Sequence, residues 1–236
     1  MTISSTASPI AHLASAVADR LQPGELGVVA ARAGVGKTAC LVQLALTDLL
    51  AERAVLHVAL DSPVRDVQSW YDRILDEAFR RGYFESDVTS SDLRLSIERH
   101  RHIHSYLQQG FTAERLEEAV SLMAEVMDFR PLTVVLDGFP FAIASQDSVT
   151  ELRRLAAEQG FRLWLSVLTH RHEREDPDKG LPQGLSPFAD SLDIVLRLAP
   201  DGAKMRLTVL RDHGEAGTLE AGLTLDPASL LVTSES

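Results

Sequence analysis

The chain has 236 residues, 45% of them hydrophobic and only 6% aromatic, a balance that supports a core of Leu, Val and Ala rather than rings and suits one domain. Lys plus Arg number 23 against 34 Asp plus Glu, a net charge of −11, and such a surface repels phosphate backbones at long range. Cys40 is the single cysteine, which excludes an internal disulfide and a cysteine zinc cluster and fits a reducing cytoplasm.

Residues 1–9 are rich in Ser and Thr, without the basic start and apolar stretch of a secretory signal. No run reaches the ~18 apolar residues of a membrane span. Ser8 to Arg20 reads as a short helix with Ile10, Leu13, Ala14 and Val17 on one face. Gly27 to Ala31 is an apolar run, and the helix that follows shortly after it places Val42, Ala45, Leu46 and Leu49 on one face. Further apolar runs span Val55 to Leu60, Leu132 to Leu136 and Phe161 to Leu168, ending at Asp61, Asp137 and Thr169-His170. Four such runs with helices between them predict a parallel sheet covered on both faces, with ligands at its carboxyl edge.

Between the second and third runs, residues 62–131 read as a helical insertion. It holds helices over Val64 to Arg81, around Asp92 to Arg99, and from a Thr112 cap to about Met127, with a short strand over His102 to Tyr106. After Ala189, Asp193 to Leu198, Lys204 to Leu210 and Leu219 to Leu225 read as antiparallel strands extending the sheet.

The segment Ala31-Arg32-Ala33-Gly34-Val35-Gly36-Lys37-Thr38-Ala39 follows the phosphate-loop pattern G-x-x-x-x-G-K-[ST], with alanine in the first position. Gly34 and Gly36 let backbone N–H groups curl toward phosphate oxygens. Lys37 brings positive charge to the β- and γ-phosphates, Thr38 offers a hydroxyl to Mg²⁺, and the helix start adds its dipole. The alternative is a glycine-rich turn with a surface lysine, but a strand before and an amphipathic helix after favour the loop. Asp137 can hold the metal, or merely open a turn with Gly138.

The words Leu21-Gln22-Pro23-Gly24-Glu25-Leu26, the phosphate loop, Val58-Ala59-Leu60-Asp61-Ser62, Val134-Val135-Leu136-Asp137 and Leu168-Thr169-His170 resemble the RecA-like P-loop ATPases, most of all the branch of the clock ATPase KaiC and the replicative helicase DnaB. The resemblance spans roughly residues 20–225 and is specific mainly near the loop. It implies a RecA-like α/β core that binds ATP with Mg²⁺. Asp61 falls where that family has a water-activating glutamate, one methylene longer, which leaves slow or absent hydrolysis open as a second reading beside turnover; Asp61 can equally cap the helix near Pro63. His170 falls at a γ-phosphate sensor position, or simply ends a strand. Arg211 and His213 stand where the family has a Lys-x-Arg pair reaching a neighbouring subunit's γ-phosphate, a role that requires an oligomer; a solvated strand-end charge is the other reading.

In ring-forming relatives two pore loops touch DNA. Here residues 138–146 carry no basic side chain. Residues 170–186 set Arg171, Arg174 and Lys179 against Glu173, Glu175, Asp176 and Asp178, three positive against four negative. Neither loop supplies the neutralisation that backbone binding needs. Phe139-Pro140-Phe141 can mark a protein contact or a buried loop. His100, His102 and His104 alternate, and on a strand would share a face able to bind Zn²⁺ or Ni²⁺, or form a basic stripe. The expectations are therefore a cytoplasmic Mg²⁺-dependent ATPase acting through protein partners, a nucleotide-dependent regulator or scaffold with little turnover, or, least favoured, a DNA motor.

Overall fold

A computed structural model describes residues 8–169, 175–176 and 179–234. Its nine strands are β1 (Leu26–Ala31), β2 (Val55–Leu60), β3 (Arg101–Tyr106), β4 (Thr133–Asp137), β5 (Arg162–Leu168), β6 (Ile194–Asp201), β7 (Lys204–Asp212), β8 (Glu215–Leu225) and β9 (Val232–Ser234). They form one sheet in the order β3-β2-β4-β5-β1-β6-β7-β8-β9. The first six of that order are parallel; β7, β8 and β9 follow antiparallel. The fold is thus the expected α/β core with an antiparallel C-terminal extension. The strand β6, expected to open that extension, instead pairs parallel to β1 on one side and antiparallel to β7 on the other, so it is the last parallel strand.

Among the described residues six α-helices cover the sheet: α1 (Pro9–Ala16), α2 (Lys37–Leu49), α3 (Val64–Arg80), α4 (Ser90–His100), α5 (Ala113–Val126) and α6 (Gln146–Gln159). Side chains alternate along β1, with Val29 and Ala31 entering the core shared with α1 to α4, and Leu26, Val28 and Ala30 the core shared with α5 and α6. A parallel strand covered on both sides favours apolar residues throughout, and all six residues of β1 are buried and apolar or glycine. Within residues 62–131 the expected short strand forms β3, at the edge of the sheet. Thr89, Thr112 and Ser145 start α4, α5 and α6 by accepting the N–H groups of Asp92, Arg115 and Ser148, each satisfying a donor the helix cannot pair itself.

The helix α2 departs from the one-faced pattern. Every residue from Ala39 to Leu49 is buried, because α1, α3 and β9 close over the side turned away from the sheet. Its polar residues are satisfied internally. Gln43 donates to the Leu230 carbonyl at 2.8 Å and accepts the Val232 N–H at 2.7 Å. Asp48 pairs with Arg162 and accepts from Thr133, and Arg162 also donates to Thr133 and to the carbonyls of Ala18 and Leu21. This network fastens the segment after α1 to the base of β4 and β5.

Candidate functional site

The loop leaving β1 curls through Gly34 and Gly36, whose φ angles are 75° and 107°. Gly36 immediately precedes α2 in the left-handed region, which side-chain-bearing residues resist. Ala31, the departure from the pattern, is the last residue of β1, buried and paired with Leu168 and Leu198. It has no positive φ, so glycine is not required there. Lys37 Nζ points back along the loop, 3.3 Å from the Arg32 carbonyl and 3.5 Å from that of Ala31. Partial burial holds its ammonium below the usual lysine range, against an opposing effect from Asp137.

β5 lies between β1 and β4, so a residue at the start of α2 must cross two strand spacings, about 10 Å, to meet the end of β4. Thr38 does so: its hydroxyl donates to Asp137 Oδ2 at 2.7 Å. Ser166, on the intervening β5, donates to Asp137 Oδ1 at 2.6 Å. Two hard oxygen groups at the helix start, one hydroxyl and one carboxylate, are the donor set that suits Mg²⁺ beside a phosphate.

Asp61 follows β2 with φ 61°, a conformation uncommon outside glycine. Its N–H donates to the Tyr106 carbonyl and its Oδ1 accepts the Gln108 N–H, both at 2.9 Å. The Gln108 side chain donates to the Gly138 carbonyl at 2.8 Å. Asp61 therefore braces the turn after β3 and does not cap α3, whose first residue follows Pro63 without any side-chain cap.

A cleft of ≈ 280 Å³ opens from the loop. Gly34, Val35, Gly36, Lys37 and Thr38 form its polar end, while Trp70, Met205, Leu225, Pro227 and Leu230 form an apolar wall. Polar groups at one end and an apolar wall at the other are the usual make-up of a small-molecule site.

The family model described as the AAA domain matches residues 2–167. The chain belongs to the AAA-domain family. It is accordingly a P-loop domain of the ATPase type, and the match runs from the N-terminal segment almost to the end of β5. A search of the curated proteins finds no match.

Within this AAA domain, other predicted residues lie away from the loop. Asp212 pairs with Ile194, which pairs with Gly27. Arg211 and His213 thus sit near the start of β1, roughly 13 Å along the strand from Ala31. Arg211 donates to the Leu192 carbonyl at 3.2 Å. The His213 ring nitrogens lie 2.6 Å from Asp212 and 3.0 Å from Glu25. His170 and part of the second loop, 170–174 and 177–178, lie outside the described residues. Phe139 and Phe141 are buried and pack edge to face, Phe141 also against Phe188, so the aromatic pair belongs to the core and not to an exposed contact.

The histidine stripe does not form. His100 ends α4, its Nδ1 2.8 Å from the Ser96 carbonyl; only His102 and His104 lie on β3. Burial lowers the proton affinity of both, and His102 adds to the shift of His104. Among the described residues no cluster of three or more His, Cys, Asp or Glu could hold a metal ion, and no helix is long and apolar enough to cross a membrane.

Sequence reasoning did not find Ser166, Gln108 or the apolar wall. Ser166 carries a signal, as the lone hydroxyl within the run Leu163-Trp164-Leu165-Ser166-Val167-Leu168. The wall carries none, since Trp70 comes from α3 and the others from the C-terminal strands and their turns.

Proposed function

We propose that this AAA domain is a Mg²⁺-dependent ATPase of the RecA-like kind, related to the KaiC and DnaB branch and working through protein partners. The observation that carries the reading is the Thr38–Asp137 contact beside the glycine-curled loop. Lys37 would swing from the Ala31 and Arg32 carbonyls to the β- and γ-phosphates, and the N–H groups of the loop would receive phosphate oxygens. Thr38 and Asp137 would hold Mg²⁺, which supplies neutralisation of phosphate charge. The base would lie on the apolar wall, against Trp70, Met205 and Leu225. Asp61 would orient the attacking water, and His170 would read the γ-phosphate. Arg211 is too far from its own loop to act there, so a finger role would be exerted on a neighbouring copy.

A second reading, a nucleotide-dependent regulator with little turnover, is favoured by one observation. Asp61 Oδ1 is already engaged by the Gln108 N–H, and the Asp side chain has no spare methylene to reach further. A DNA motor is supported by neither pore loop.

The test is a titration with a fluorescent ATP analogue plus Mg²⁺, with phosphate release followed in the same sample. Lys37→Ala and Thr38→Ala should each weaken binding at least about tenfold, since charge-assisted contacts are the strong ones. Full affinity in both variants would overturn the reading. Binding with turnover supports the ATPase, and binding without it the regulator.

A further inference from the structure

The proton arrangement around Asp137 has one solution. The Gly138 N–H donates to Ser166 Oγ at 2.8 Å, and an amide N–H can only donate, so Ser166 must accept there. Its single proton is then left for Asp137 Oδ1, 2.6 Å away. Ser166 is 1% exposed, so bulk water does not compete for that proton. Thr38 occupies Oδ2. Each carboxylate oxygen thus has a defined protein partner, and the carboxylate plane is held from the β5 side by a group buried from solvent and anchored on the Gly138 N–H.

The placement follows from strand order. Leu136 pairs with Leu165, so Asp137 and Ser166 are the next opposed positions and project to the same face of the parallel pair. That face is the one carrying α2. An apolar residue at position 166 could not turn the carboxylate in this way.

We infer that Ser166 is a positioning residue for the Mg²⁺·nucleotide site, acting by orienting the Asp137 carboxylate toward Thr38 and the cation. The inference rests on the nucleotide reading above. Partners that orient a metal-holding carboxylate typically change metal affinity by about 10- to 100-fold when removed. The loss should fall on the Mg²⁺ requirement, because the hydrogen bonds of Ser166 go to Asp137 and Gly138 and it does not line the cleft.

The experiment is a Mg²⁺ titration at fixed fluorescent ATP analogue, repeated in EDTA, on wild type, Ser166→Ala and Ser166→Thr, with thermal unfolding of each protein without nucleotide. Ser166→Ala should need about tenfold or more Mg²⁺ to reach half-saturation, with affinity in EDTA unchanged, and Ser166→Thr, which keeps the hydroxyl, should restore the wild-type midpoint. An unchanged midpoint in Ser166→Ala overturns the inference. So does an equal loss of affinity with and without Mg²⁺, which would mark Ser166 as a packing residue only. Should Ser166→Ala fail to fold, Ser166→Cys decides: its weak S–H donor should raise the midpoint without touching EDTA affinity, and no rise overturns the inference. Wild-type protein that binds the analogue in neither condition overturns the nucleotide reading and this inference with it; wild-type binding that responds to Mg²⁺ identically in all variants overturns this inference alone.

Discussion

Thr38 and Asp137 are 99 positions apart, and the hydroxyl of one donates to the carboxylate of the other at 2.7 Å. Their strands are not neighbours, since β5 lies between β1 and β4. The contact exists because the phosphate loop carries the start of α2 over β5, and because Ser166 on β5 turns the carboxylate to meet it. Substitutions around this junction should separate binding, metal use and stability.

Gly36→Ala should damage both fold and site. At φ 107° a Cβ is strained, and it would lie 3.1 Å from Leu225 Cδ2. The left-handed conformation alone costs about 1–2 kcal/mol for a residue with a side chain. Thermal unfolding should show a lowered midpoint, and titration with the ATP analogue a weaker affinity. A variant indistinguishable from wild type in both would mean that the loop tolerates another path.

Trp70→Ala should weaken the ATP analogue equally with and without Mg²⁺. Base-on-aromatic stacking contributes about 1–3 kcal/mol, roughly 5- to 150-fold in Kd. Unaltered affinity would remove Trp70 from the base site.

Asp61→Asn retains an oxygen for the Gln108 N–H and removes the charge, so the corner should survive. If Asp61 orients water, phosphate release should fall about 100-fold or more while nucleotide affinity stays within about twofold, a ratio that single-turnover and equilibrium titrations read directly. Release at the wild-type rate would place the base elsewhere.

Asp48→Ala should be among the most destabilising single changes. Asp48 and Arg162 are 1% and 5% exposed, and removing one partner of a buried ion pair costs about 3–5 kcal/mol. Chemical denaturation should report that loss. A loss below about 1 kcal/mol would mean that Arg162 is held adequately by Thr133 and the carbonyls of Ala18 and Leu21.

His57 makes stability depend on pH. It lies wholly buried on β2, its Nδ1 3.0 Å from the Tyr71 hydroxyl, while its Nε2 has no partner among the described residues. Burial lowers its pKa to about 4, Asp137 acting in the opposite direction and Arg101 adding to the fall. The unfolded chain, with a histidine near pH 6.5, therefore binds more protons between these values. Above about pH 6.5 His57 is neutral in both states and the term vanishes. As pH falls from 6.5 toward 4 stability is lost, by up to about 3 kcal/mol. His57→Phe should flatten this part of the stability–pH curve, and a curve of unchanged slope would contradict the assignment.

The phosphate loop was legible because its cradle is built from contiguous residues. Gly34, Gly36, Lys37 and Thr38 need only each other, a preceding strand and a following helix, and all of these are local signals. Asp137 was legible as the polar end of an apolar run. The helix caps at Thr112 and the edge strand near His102 were legible for the same reason. The histidines misled, because alternate spacing implies a shared face only within a strand, and α4 continues through His100.

The sequence by itself determined the nucleotide loop and the α/β alternation, since backbone conformation and burial period are set over a few residues. Strand order decided the rest. It brought Ser166 beside Asp137, laid β3 at the edge, and carried Arg211 and His213 to the far end of β1. It also buried Gln43, Thr47 and Asp48, whose partners are the Leu230 carbonyl and the Val232 N–H of β9 for Gln43, the Leu44 carbonyl for Thr47, and Arg162 and Thr133 at the starts of β5 and β4 for Asp48. Periodicity records which side of a helix meets the first layer, but a second layer arriving from distant sequence is a matter of packing, and only the folded chain contains it.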